Sequence, residues 1–171
     1  MLKRKEILII LFILLGILSR LIPHPPNFTA LASIALFSGA YLKNKYLSVS
    51  IPLVIMIISD TLIGLPKSSS VYISFILITL LGHTLQTNRT KLKIINVSIL
   101  SSILFFIITN LFVFLQSEFY PKNIIGIIEC YVFAIPFFTN TLLSTLIYSL
   151  IIFISFEKIQ KTIFIKFEQC K

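Results

Sequence analysis

The chain has 171 residues, of which 57% are hydrophobic and only 12% are charged, with a mean hydropathy of +1.00. A soluble domain carries about 25% charged residues, so this composition excludes a water-soluble globular domain and favours one integral membrane domain over residues 1–171. The net charge of +9 does not indicate nucleic-acid binding, because the basic residues lie in short clusters between apolar runs. We therefore expect a lipid bilayer around the chain and no nucleic-acid partner.

Six apolar segments predict an all-α fold, a polytopic transmembrane bundle of about six short helices. In chain order the predicted spans cover residues 7–22, 28–42, 46–65, 71–86, 94–115 and 136–156. Crossing a hydrocarbon core of ~30 Å takes ~20 helical residues, and the third, fifth and sixth segments reach that length. The second segment follows a Pro-rich break and reaches only ~22 Å, so we expect a short helix there.

The distribution of Lys and Arg predicts the orientation of the spans. If the N-terminus is cytoplasmic, twelve of the fifteen Lys and Arg fall on the cytoplasmic side, including those of the basic N-terminus 1–6 and the basic tail 157–171. Such a bias predicts that both chain ends are cytoplasmic. A cleavable signal peptide is the competing interpretation of the first span, but Arg20 and a Pro cluster occupy the place where a cleavage site would follow.

Polar side chains from separate segments are predicted to gather in the outer third of the bundle. A charged side chain in a bilayer costs ~2.5–3.5 kcal/mol, so each one requires a structural or functional reason. Depths counted along the predicted helices for four of these residues, and the positions of the others in the adjoining segments, place them in one outer layer and predict an outward-facing polar pocket. They are Arg20, His24, Asn27, Asp60, Asn110, Glu129 and Asn140.

Within this layer we expect an ion pair between Arg20 and either Asp60 or Glu129. The alternative for Arg20 is that it extends to the outer interface without a partner. Asn140 also begins a stripe at i, i+4 and i+8, with Ser144 and Tyr148, that faces one side of the sixth helix. Stripes of this kind often serve only as hydrogen bonds between helices.

The segment 21–29 contains three prolines in four positions and cannot be helical. Asn27 is predicted to be the N-cap of the second helix. Broken helices form ligand sites in transporters, but a rigid corner between two spans is an equally open interpretation. Further along, Ala35 and Gly39 form a small-xxx-small pair that lets another helix approach closely, in this chain or in a partner.

No catalytic motif is present in the sequence. It lacks His-Glu-x-x-His, Gly-x-Ser-x-Gly, a P-loop and Gly-x-Gly-x-x-Gly. The two histidines, His24 and His83, are predicted near opposite ends of the bundle and cannot share a metal ion. We therefore expect neither an enzyme nor a metal site or cofactor, and any active transport must take its energy from a partner or an ion gradient.

Several motifs together resemble a family of small uncharacterised bacterial membrane proteins that are described only as candidate transport proteins. The resemblance covers about residues 7–156, and its most specific part is the string Pro-His-Pro-Pro-Asn-Phe-Thr at residues 23–29. The string departs from the family pattern at Ala30, where Pro is usual. The other matching motifs are Ser19-Arg20-Leu21, Ala35-Leu36-Phe37, Gly39-Ala40-Tyr41, Ser59-Asp60, Thr109-Asn110, Cys130-Tyr131, Ala134 to Phe138 and Asn140-Thr141.

That family is similar in size and six-span layout to the S components of energy-coupling factor (ECF) transporters. The resemblance implies a bacterial plasma-membrane subunit that binds a small solute, a vitamin-like compound or a metal, for uptake. It also implies a transmembrane coupling subunit with ATPases as partners, contacted through small residues such as Ala35 and Gly39. The alternative is a structural cell-envelope scaffold without a ligand, in which the polar layer is filled by its own side chains.

Overall fold

A computed structural model describes the backbone of residues 4–169 and the side chains of residues 9–160. Within this part of the chain the regular structure consists of six α-helices and no strand, which confirms the all-α prediction. The helices are α1 (Arg4–Leu21), α2 (Leu31–Tyr41), α3 (Lys45–Ile63), α4 (Ser69–His83), α5 (Lys91–Gln116) and α6 (Ile124–Gln169).

Three helices are long and apolar enough to cross a membrane, which makes the chain a membrane protein. They are α3, α5 and the Ile124–Gln160 part of α6. The described part of α1, Ile9–Leu21, and the helices α2 and α4 are apolar but shorter. With 11 residues, α2 is ~16 Å long and crosses about half of the hydrocarbon core.

The last helix differs from the prediction, which began the sixth span at residue 136. In the structure α6 starts at Ile124, has 46 residues and contains Pro136 in its interior. Proline is frequent at the first position of a helix, but it also occurs inside membrane helices. Residues 124–135 are nevertheless a continuous apolar helix, which tolerates the loss of one N–H donor at proline. The predicted tail from residue 157 continues α6 as far as Gln169, while residues 1–3 and 170–171 lie outside the described residues.

The helix α2 lies at the centre of the bundle, in contact with α3, α4 and α6. All residues from Leu31 to Ala40 are buried. A helix that is apolar on every side is stable only when other segments surround it, and α2 meets that condition. The remaining helices therefore pack around a short central helix.

Glycine allows α2 and α4 to come into backbone contact. A Cβ atom on Gly39 would overlap the carbonyl oxygen of Thr79, and a Cβ atom on Gly82 would overlap that of Leu36. Small residues permit such close approach of two helices. Because Gly39 and Ala35 are enclosed within the chain, the expectation that they contact a coupling subunit is wrong.

Side chains from the α4–α5 connection complete the C-terminal end of α2. Gln86 Nε2 donates to the carbonyl oxygens of Gly39 (2.9 Å) and Leu42 (3.2 Å), and Arg89 Nη2 donates to that of Ala40 (3.1 Å). The last carbonyls of a helix have no partner within the helix. The side chains of Gln86 and Arg89 supply partners for three carbonyls at the C-terminal end of α2.

Candidate functional site

An ion pair joins the ends of α1 and α3. Arg20 Nη2 lies 2.6 Å from Asp60 Oδ1, and the side chain of Asp60 is only 3% exposed. The other carboxylate oxygen accepts a hydrogen bond from the hydroxyl of Tyr72 (3.0 Å), and Arg20 Nη1 donates to Ser59 Oγ (2.7 Å). The predicted pairing of Arg20 with Asp60 is confirmed, and Glu129 is not its partner.

The helix ends bring these two charges to the same level. Arg20 lies in the last turn of α1, where a cation is favoured by the helix dipole. Gly64 ends α3 in the left-handed conformation (φ 76°), and the N–H of Leu65 returns to the carbonyl of Asp60 at 2.9 Å. Glycine adopts this conformation without steric cost. Asp60 is consequently held in the last turn of α3, beside Arg20.

The Pro-rich segment forms a tight turn above this pair. The N–H of Phe28 donates to the carbonyl of Pro25 (2.9 Å), and Asn27 has a φ of 64°. Proline at the second position and a positive φ at the third define a type II turn. The prediction that Asn27 caps α2 is wrong, because Asn27 supplies the positive φ of the turn and the N-cap is Ala30, without a side-chain cap.

The predicted polar stripe of α6 holds this turn in place. Asn140 Nδ2 donates to the carbonyl of Pro26 (3.1 Å), and Ser144 Oγ donates to the carbonyl of Asn27 (3.4 Å). The residues of the turn and of α6 are more than a hundred positions apart in the chain. Asn140 thus has a structural role at the rim of the site.

A first cavity of about 480 Å³ lies beneath the turn and beside the ion pair. Its walls come from α1, the Pro-rich turn, α2, α3, α4, α5 and α6. Among its lining residues one cation and one carboxylate carry full charges, and the rest are polar or apolar. The polar and charged lining residues are Arg20, His24, Asn27, Thr29, Asp60, Ser68, Thr141, Ser144 and Thr145.

A second cavity of about 360 Å³ lies between α5 and α6. Asn110 lines this cavity and not the first one, so the structure separates it from Arg20 and Asp60. Six aromatic side chains dominate the walls. Four residues border both cavities: Asn27, Val71, Phe105 and Thr141.

Two predicted site residues line neither cavity. Asn140 is bound to the turn, as described above, and Glu129 is an exposed residue of α6. The sequence places Glu129 in a segment before the predicted sixth span and does not show on which side of the helix it lies. Five of the seven predicted site residues therefore line the two cavities.

Sequence reasoning missed the partners that α3 supplies to Arg20. Besides Ser59, the sulfur of Met56 accepts a hydrogen bond from Arg20 Nη1 (2.8 Å). Met56, Ser59 and Asp60 are spaced i, i+3 and i+4, which places them on one face of a helix. That spacing is the signal that would have identified them.

The described residues contain no group of three His, Cys, Asp or Glu side chains that could hold a metal ion. Asp60 already uses both carboxylate oxygens within the protein, and His24 Nδ1 lies 2.8 Å from the carbonyl oxygen of Pro25. What the first cavity offers chemically is an arginine, hydroxyl groups and amide groups beside an apolar wall. This set suits hydrogen bonding to an organic molecule.

Six helices, three of them of membrane-spanning length, with α2 at their centre and an ion pair between the ends of α1 and α3, define a polytopic helical membrane protein. The chain belongs to the family of unknown function DUF6580, whose model matches residues 1–167. A search of curated proteins and a search of solved structures each gave no significant match.

Proposed function

We propose that this protein is a solute-binding subunit for the uptake of a small organic molecule across a bacterial plasma membrane. The observation that carries the proposal is the cavity of about 480 Å³ beside the Arg20–Asp60 pair. Small-molecule sites are typically clefts of about 300–1,000 Å³ with apolar walls and a few convergent polar groups. The first cavity has this size and this character.

Arg20 retains hydrogen-bonding capacity that a ligand can use. Of its five N–H groups, two at Nη1 donate to Ser59 and Met56, and one at Nη2 donates to Asp60. The other two have no acceptor among the described residues. Because Arg20 lines the cavity, these N–H groups favour a ligand that carries an oxygen acceptor.

The charge of the cavity favours a ligand without net charge. Arg20 and Asp60 neutralise one another, and no other Lys, Arg, Asp or Glu lies among the lining residues. A buried net charge on the ligand would remain uncompensated and therefore costly. A zwitterion or a neutral polar molecule fits better than a bare metal ion, for which the described residues provide no ligand cluster.

The direction of transport follows from the proposed orientation. Arg20 and Asp60 lie at the ends of α1 and α3 that are opposite to the basic connection around Lys43 and Lys45. If the basic segments are cytoplasmic, the cavity faces outward, as uptake requires. In this proposal a transmembrane coupling subunit with ATPases supplies the energy, and it contacts a surface other than the buried face of Ala35 and Gly39.

One observation favours a second candidate, a structural cell-envelope scaffold without a ligand. Both carboxylate oxygens of Asp60 are occupied by Arg20 and Tyr72, and the carboxylate is almost fully buried. A polar layer that satisfies itself in this way needs no ligand for stability. The scaffold function predicts that the cavity binds no solute.

A ligand screen separates the two candidates. The purified protein in lipid nanodiscs is unfolded thermally in the presence of amino acids, vitamins and divalent metal ions. A ligand at one hundred times its Kd stabilises a protein by about 2.7 kcal/mol, so we expect at least one organic solute to raise the melting temperature clearly. Absence of any shift across the panel would exclude the solute-binding function.

Single variants test whether a rise in melting temperature comes from binding in the first cavity. Asp60→Ala should abolish the shift, as should His24→Ala, which changes an exposed lining residue and leaves the ion pair intact. Glu129→Gln is the matched control, because it alters a carboxylate that lines neither cavity. Retention of the full shift in both Asp60→Ala and His24→Ala would place binding elsewhere.

A further inference from the structure

We infer that the two cavities form one two-chamber site, and that its ligand is a zwitterionic amphiphile with an aromatic tail. This inference rests on the proposed function and adds to it the chemical class of the solute. The head group of the ligand occupies the first cavity, beside Arg20 and Asp60. The tail occupies the second cavity, between α5 and α6.

The two cavities are next to each other. Asn27, Val71, Phe105 and Thr141 line both of them, and these four residues come from four different elements: the Pro-rich turn, α4, α5 and α6. The boundary between the cavities is thus formed by residues of four separate elements rather than by one continuous helix. A ligand that spans both chambers passes between these four residues.

The second chamber is suited to an aromatic group. No charged residue lines it within the described part of the chain, whereas Phe106, Phe133, Phe137 and Phe138 do. The ring centroids of Phe106 and Phe138 lie 4.9 Å apart, and the two rings are tilted by 44°. Aromatic pairs favour centroid distances of about 4.5–7 Å in offset or edge-on arrangements, and a ligand ring can extend this set.

The outer wall of the second chamber also favours an apolar tail. Phe133 is 67% exposed and Phe137 is 46% exposed, and on a helix of this apolar character those faces contact lipid. Few polar groups of this chamber are available to a polar tail, because Asn110 Nδ2, Thr109 Oγ1 and Thr141 Oγ1 each donate to a carbonyl of their own helix. The two chambers thus differ in polarity in the way the two ends of an amphiphile do.

Four simple probes test the inference on the protein in nanodiscs, with empty nanodiscs subtracted. L-Alanine carries the zwitterionic head alone, and L-phenylalanine adds the ring. Burial of a phenyl group should make L-phenylalanine bind roughly ten- to a hundredfold more tightly than L-alanine. 3-Phenylpropanoate and 2-phenylethylamine carry the same ring with an anionic and a cationic head, and both should bind more weakly than L-phenylalanine.

A larger side chain placed in the second chamber tests whether this chamber holds the ring of L-phenylalanine. Ala134 is buried and lines only the second cavity, so Ala134→Phe should remove the advantage of L-phenylalanine over L-alanine. Thr109→Leu tests the same wall if Ala134→Phe fails to fold. Ile135→Phe is the matched control, because Ile135 is 51% exposed and lines neither of the two cavities.

The outcomes distinguish this inference from the proposed function. If polar solutes bind the first cavity but the ring gives no gain, or if the larger side chain leaves the gain unchanged, the two-chamber site is overturned and the proposed function stands. If neither the four probes nor any solute of the wider panel binds the wild-type protein, both are overturned. Tighter binding of the anionic or the cationic probe would overturn the zwitterionic head group.

Discussion

Nη2 of Arg20 lies 2.6 Å from Oδ1 of Asp60, although the two residues are forty positions apart and belong to different helices. The pair joins the ends of α1 and α3 beneath the Pro-rich turn. The carboxylate of Asp60 is almost fully buried and therefore has no bulk water as an alternative partner. The pair therefore fixes the relative position of two helices and forms one wall of the first cavity.

Removal of one member of this pair should be more damaging than removal of both. Asp60→Ala leaves Arg20 as an uncompensated buried charge, which typically costs about 3–5 kcal/mol of unfolding free energy. The double variant Arg20→Met with Asp60→Leu should recover most of that loss. Reversible unfolding in mixed micelles measures both values. Glu129→Ala is the control and should change little, and a loss equal to that of Asp60→Ala would refute the structural role of the pair.

Because α2 and α4 are in close contact, the addition of one methyl group at Gly82 should strongly lower the stability of the protein. Gly82→Ala should lower the unfolding free energy by about 1–3 kcal/mol, because its Cβ meets backbone atoms of Leu36 that cannot move independently. At Gly16 the nearest atoms to an added Cβ belong to the side chains of Ile55 and Ile34. Gly16→Ala is therefore the milder control in a thermal unfolding series, and an equal loss at both positions would contradict the close helix contact.

The turn at Asn27 makes a prediction about backbone conformation. With a φ of 64°, this position accepts glycine easily and β-branched residues poorly. Asn27→Gly should retain nearly wild-type stability, whereas Asn27→Val should lose about 1–3 kcal/mol. Melting temperatures of the two variants measure the difference. If valine is tolerated as well as glycine, the type II turn is incorrectly assigned.

The proposed orientation can be tested by chemical labelling in intact cells. In a background with Cys130→Ser and Cys170→Ser, single cysteines are introduced as Lys67→Cys and Asn88→Cys, both at exposed positions between helices. A membrane-impermeant maleimide should label position 67 from outside and position 88 only after the cells are opened. The reverse pattern would place the cavity on the cytoplasmic side and rule out its proposed role in uptake.

The ion pair was predictable because the sequence alone shows which charged residues lie within apolar segments and how far along each helix they lie. A charge within an apolar segment needs a partner, and a rise of 1.5 Å per residue places Arg20 and Asp60 at one level. Glu129 was placed in the outer layer as part of a segment leading into the sixth span, which gave no information about the side of the helix that it occupies. That angle depends on how α6 packs against α5, which the local sequence does not encode.

The wrong predictions at Asn27 and Pro136 have the same cause. Asparagine and proline are each common in more than one local backbone conformation. Asn27 is a good helix cap and also a good residue for positive φ, and the preceding Pro26 decided for the turn. Pro136 is typical of a helix start and is also tolerated inside a long membrane helix. The burial of α2 could be inferred more readily from the sequence, because residues 31–40 include no charged side chain on any face.

Mass spectrometry of molecules that remain bound through purification tests the central claim most directly. Wild-type protein released from nanodiscs should carry one small organic molecule per chain. The Glu129→Gln protein should carry the same molecule, and the Asp60→Ala protein should lack it. A wild-type protein without any bound solute, or an Asp60→Ala protein that retains it in full, would contradict a solute site at the Arg20–Asp60 cavity.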